Sequence, residues 1–81
     1  MSVMSLEALT LKESSSIAAA AYDPDERTLR ITFASDGRHP ERTYDYLKVP
    51  PEVVEEFLDA ESHGTFVNAK IKPRYDVREV V

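Results

Sequence analysis

The 81 residues contain no cysteine and no tryptophan, and only 2 glycines. Without thiols there is no disulfide framework, no thiolate nucleophile and no zinc knuckle, which removes a large class of small-domain functions. A chain this short builds one modest core, so its stability has to come from packing. No apolar run is long enough to cross a bilayer. The opening MSVMSLEALTLKESSS also lacks the basic start, apolar block and small-residue cleavage site of a secretory signal. A soluble, cytoplasmic protein is expected. With 42% hydrophobic and 31% charged residues the composition is that of a folded globule rather than a disordered chain. The net charge of -5 argues against coating nucleic acid with the whole surface. Charge is lopsided, however: residues 70–81 carry +2 and residues 1–69 carry -7, so any phosphate contact has to be local.

Three units are expected: a flexible arm over residues 1–13, a domain over 14–75 and a tail over 76–81. The Ser14-Ser15-Ser16 run breaks any helix begun in the arm by competing for backbone hydrogen bonds. Ile17 to Tyr22 is short, apolar and ended by the turn chemistry of Asp23-Pro24-Asp25-Glu26, which favours a strand. Thr28 to Ala34 alternates Leu29, Ile31 and Phe33 with Arg30 and Thr32, the period of a strand with one buried face. Ser35-Asp36-Gly37 turns the chain, and Arg42 to Lys48 returns as a third strand. Pro50-Pro51 opens a helix, where the missing N–H costs nothing, and Val53, Val54, Phe57 and Leu58 share its inner face. Ser62 is placed as the N-cap of a second helix with Phe66, Val67 and Ile71 inward, closed by Pro73. The segment from Tyr75 to Val81 fits a short strand or a partner contact equally well. The expected fold is α+β: a three-stranded antiparallel meander with two C-terminal helices packed on one face.

Tyr44 and Tyr46 share one face of the third strand, and Thr43, Asp45 and Leu47 share the other. An unpaired carboxylate in the core costs several kcal/mol, roughly, so Asp45 is expected outside and the tyrosines inward beside Leu29, Ile31 and Phe33. That favours core residues over an exposed stacking platform. A ligand pocket floored by the two rings is weighed against the size of the domain, because a core this small seldom spares the several hundred Å³, on the order usual for such a pocket.

The order Ser15-Ser16-Ile17, Tyr22-Asp23, Leu29-x-Ile31-x-Phe33, Gly37, Tyr44-Asp45-Tyr46, Val49-Pro50, Ala60-x-Ser62-x-Gly64, Phe66-x-Asn68 and Ile71 resembles the KTSC domain family. That small bacterial domain also occurs at the C-terminus of some lysyl-tRNA synthetases. The resemblance spans about Ser14 to Tyr75. It implies no catalytic residue and no cofactor, and it suggests RNA binding through the synthetase context. Tyr44, Tyr46, Ser62, Gly64 and Asn68 carry over as landmarks without an assigned role. The sequence departs from the pattern in its N-terminal arm, in the alanine run before Tyr22 and in a longer Arg38 to Glu41 loop.

Lys70, Lys72 and Arg74, with Lys48, are the candidate cations for weak RNA or tRNA binding, which would be strongly salt-dependent. Catalysis is not expected. Glu52, Glu55, Glu56, Asp59 and Glu61 crowd one helix and read as its solvated face. His39 in a loop and His63 at a helix start have no third ligand at metal-site spacing, and Ser14 to Ser16 has no histidine placed to act as a base. The Asp23 to Glu26 acids lack the pattern of a calcium loop and read as a turn. The alternative to RNA is a protein partner or a homodimer, using the acidic helix face and the valine-rich tail. Neither a metal nor a membrane is expected as a partner.

Overall fold

The computed structural model describes residues 6–12, 16–35 and 37–80. Ser14, Ser15, Asp36 and Val81, each part of a sequence expectation, lie outside them. The sheet has five strands, not three: β1 (Glu7–Ala8), β2 (Ile17–Asp23), β3 (Thr28–Phe33), β4 (Arg42–Tyr46) and β5 (Val77–Val80). All neighbours are antiparallel and the spatial order follows the chain. The two extra strands are edges. β1 is two exposed residues with no alternation to betray it, and β5 occupies the segment that fitted a strand or a partner contact.

In β2 the register shifts between Ile17 and Ala19, so Ala18 and Ala19 both face solvent while Ile17 and Ala20 are buried. Small alanines tolerate this bulge because neither face asks for volume there. Asp23 then ends the strand, with its Oδ1 accepting the amides of Asp25 at 3.0 Å and Glu26 at 3.2 Å. Arg27 completes the turn at φ 54°. β4 is shorter than expected, ending at Tyr46, because Lys48 adopts φ 58°, the left-handed region that no strand continues through.

Tyr22, Leu29, Ile31 and Tyr46 project to the face that carries the helices, where they meet Val49, Val54, Phe57, Val67 and Ile71. Helix α1 (Pro51–Asp59) starts with Pro51 in its first turn and buries Val54 and Phe57. Helix α2 (His63–Phe66) is capped by Ser62, whose Oγ accepts the Thr65 amide at 3.3 Å. It continues as one π-helical turn over Val67–Ile71, with the Lys72 amide donating to the Val67 carbonyl at 2.8 Å. Val67 and Ile71 are both fully buried in that turn.

Asp45 does lie on the face away from the helices, but it is not in water: it is 1% exposed. Its carboxylate is held by Arg30 Nε at 2.7 Å and Arg30 Nη2 at 3.0 Å, with an Arg78 Nη2 at 3.6 Å. The partner that sequence spacing did not reveal is supplied by register, since Arg30 stands directly opposite Asp45. The pair raises the Arg30 guanidinium further above its ordinary value, chiefly through the hydrogen bond.

Three outcomes follow from this packing. Arg30→Ala leaves a buried carboxylate with only the exposed Arg78, so it costs about 3 kcal/mol in urea unfolding. Asp45→Ala costs about 1–2 kcal/mol, because Arg30, 29% exposed, keeps access to water; equal losses would contradict the asymmetry. A Cβ on Gly64 would run into the Ser16 side chain. Gly64→Ala therefore costs about 1–2 kcal/mol, and adding Ser16→Gly recovers part of it.

Burial pushes the phenols of Tyr22 and Tyr46 above the ordinary tyrosine value; Arg27 pulls Tyr22 back a little, while Tyr44 adds to the shift of Tyr46. The folded state thus holds these protons more tightly than the unfolded one. Their contribution is complete below the unfolded value of about 10 and is lost as pH rises through it towards the folded values. The urea midpoint is expected to fall between about pH 9 and about pH 11, and to fall less in Tyr46→Phe.

Candidate functional site

On the helix-bearing face Leu29, Ile31 and Tyr46 are buried, whereas Phe33 and Tyr44 are only half-buried. Register places Phe33 of β3 opposite Arg42 of β4, Tyr44 opposite Glu79 of β5, and Tyr46 opposite Val77. Phe33, Arg42, Tyr44, Tyr46 and Val77, together with Lys72, which leaves the π-helical turn, and His39 and Pro40 of the loop between β3 and β4, border an open groove of about 700 Å³. This open groove is distinct from the pocket between sheet and helices that is weighed against the size of the domain. It takes no volume from the core because it lies on the sheet surface beyond the last helical turn.

The two tyrosines part company here. Tyr46 is 2% exposed and forms the buried floor, whereas Tyr44 is half-buried and forms a wall. The Tyr44 and Phe33 rings pack edge to face, 5.8 Å between centroids at 65°. The Lys72 ammonium sits 5.0 Å from the centre of the Phe33 ring, a cation–π contact. A hydrogen bond with the Tyr44 side chain is the main cause that raises the Arg42 guanidinium, with the Glu79 carboxylate adding at a distance of 3.9 Å. Both cations of the groove therefore lie beside aromatic rings.

Of the four candidate cations, only Lys72 reaches the groove. Lys70 lies within the π-helical turn and Arg74 just beyond it; both are exposed, and neither borders the groove. Lys48 follows the opposite end of β4, next to Val49, whose amide is bound to the Arg27 carbonyl at the turn between β2 and β3. Strand geometry thus separates it from Lys72 by the length of the sheet. None of Phe33, Arg42, His39 and Val77 is a candidate site residue from the sequence, where Phe33 is assigned to the core and His39 to a loop without metal-site spacing. The available signal was the facing of Phe33 and Tyr44, extended across the β3–β4 pair to Arg42.

The landmark residues divide between structure and surface. Ser62 is a helix cap, Gly64 allows close approach to Ser16, and Asn68 is exposed on the π-helical turn. His63, which spacing left without a role, is 1% exposed. Its Nδ1 bonds the Phe57 carbonyl at 2.9 Å, and its Nε2 accepts the Lys12 amide at 3.0 Å, so the ring carries its proton on Nδ1. The Lys12 ammonium in turn donates to the carbonyls of Asp59 at 2.9 Å and Ala60 at 3.4 Å, at the end of α1. His63 is thus committed to holding the N-terminal segment. Among the described residues no group of three or more His, Asp or Glu side chains is placed to hold a metal, and no helix is long and apolar enough to cross a membrane.

Known proteins resemble this chain in sequence and in fold. The chain is 49% identical over 63 residues to a protein of Tsukamurella paurometabola, covering 78% of this chain and 87% of the relative. It is 38% identical over 63 residues to an uncharacterized protein of Stutzerimonas stutzeri, covering 78% of this chain and 82% of that one. The crystal structure of a KTSC domain protein from Yersinia pestis superposes with a TM-score of 0.79 at 34% identity, covering 95% of this chain and all of the other. The family model for the KTSC domain matches residues 13–75, and the chain belongs to that family.

Proposed function

We propose that this domain is a binding module for single-stranded nucleic acid, in particular RNA, and that the open end of the sheet is where the strand lies. One observation carries the reading: the groove joins half-buried aromatic rings, Phe33 and Tyr44, to two cations, Lys72 and Arg42. Single-strand binders combine these two elements, bases stacking on rings while cations track phosphates. Lys70 and Arg74 extend the positive surface beyond the groove, so the basic C-terminal segment serves as an approach rather than the seat. His63, with both ring nitrogens engaged, is unsuited to proton transfer, which favours binding over catalysis.

Counting two phosphate contacts in the groove and up to two beyond it, the dependence of log affinity on log salt should have a slope of about -1.4 to -2.8. Fluorescence anisotropy with a labelled oligoribonucleotide of about a dozen nucleotides tests this. Arg42→Ala and Lys72→Ala are each expected to flatten the slope by about 0.7, and Lys48→Ala to leave it unchanged. Absence of binding at low salt overturns the reading.

A second reading rests on β5. It is the last strand in the sheet order, and Val77 is 53% exposed on it. An unpaired edge with an apolar residue suits strand addition by a protein partner. Pull-down of a protein that is lost in Val77→Lys, with RNA binding absent, would favour it.

A further inference from the structure

The contact between Lys72 and Phe33 points to how the groove is used, and it rests on the nucleic-acid reading above. Phe33 is the aromatic residue of β3 that the helices leave half-buried, and Lys72 covers the ring that remains. Tyr44, packed edge to face, fixes the plane of that ring. The platform is therefore oriented before any ligand arrives. Lys72 is exposed and stands at the end of the π-helical turn, on a flexible four-carbon stem with a charge that seeks oxygen anions.

We infer that Lys72 is a movable cover. A base of the bound strand stacks on Phe33, and the ammonium it displaces moves to a phosphate of the same strand. The exchange is favourable on both sides. An exposed cation–π contact is weaker than a base–aromatic stack, and the ammonium gains a charged oxygen in place of a ring face. Arg42 differs in having the Glu79 carboxylate beside it at 3.9 Å rather than a ring face alone. It marks the backbone path, while Lys72 couples stacking to charge.

The test compares two labelled strands of equal length at low salt, oligouridylate and the same ribose-phosphate backbone without bases, with oligodeoxythymidylate as a third arm to separate RNA from DNA. Wild type is expected to bind oligouridylate about tenfold more tightly than the abasic strand. Phe33→Leu should remove that preference while keeping the abasic affinity, and Lys72→Ala should keep the preference while flattening the salt slope by about 0.7. In wild type, the ε-methylene protons of Lys72, shifted upfield by the Phe33 ring in the free protein, should move downfield as oligouridylate is added. This readout does not depend on a variant that folds. Equal binding of the two wild-type strands overturns the stacking role but leaves the nucleic-acid reading standing. If neither strand binds, both fall. An equal loss for both strands in Phe33→Leu, or ε-methylene resonances that stay in place at saturation, overturns the cover.

Discussion

The register between β3 and β4 governs both faces of the sheet. A slip of β4 by one residue against β3 would send Tyr44 and Tyr46 to the face without helices and bring Asp45 into the core, away from Arg30. Polar pairs on the helix-free side hold that register. Arg30 grips Asp45 with two hydrogen bonds, and Thr32 and Thr43 share a hydroxyl contact at 3.0 Å two positions along. The same register that buries Tyr46 beneath the helices also brings Phe33 opposite Arg42 at the uncovered end. The groove is thus the continuation of the core face past the point where the helices stop.

A second set of contacts determines where they stop. The Tyr22 hydroxyl donates to the Val49 carbonyl at 2.6 Å, and the Val49 amide donates to the Arg27 carbonyl at 2.8 Å, so the entry to α1 is tied to the far end of the β2–β3 hairpin. From there α1 and α2 run over the part of the sheet nearest to that end. Lys12 and His63 lock the N-terminal segment to the end of α1, and Leu9 and Leu11 add their side chains to the core. After Ile71 no further apolar helical residue is available, and lysine takes the next position. The open end of the sheet is thereby left to Lys72.

Much of this was legible in the sequence, and the rest was not for identifiable reasons. Alternation in β3, the proline entry to α1, the Ser62 cap and the inward facing of the tyrosines all follow from spacing and local chemistry, which a single segment displays. β1, the depth of Asp45 and the role of His63 depend on residues far apart in the chain: Glu7 on Tyr22, Asp45 on Arg30, His63 on Lys12. The segment left open between a strand and a partner contact is a strand, paired to β4 through Val77 and Tyr46, a pairing that its own sequence does not display. The groove was hidden by a volume argument that applied to the interior of a small core and not to its exposed border.

Net charge and local charge pull in different directions, and the geometry shows how both can hold. The acidic residues of α1, Glu52, Glu55, Glu56 and Asp59, are exposed on that helix, and none of them borders the groove. At physiological ionic strength charges act over about 8 Å, so the local balance is set by near neighbours. Within the groove the balance is set by neighbours: Arg42 has Glu79 beside it, while Lys72 has an aromatic face. Lys72 is consequently the cation whose present contact costs least to exchange. Under the proposed nucleic-acid reading, a chain with a charge of -5 holds a phosphate there only at short range and only while salt does not compete for the same ammonium.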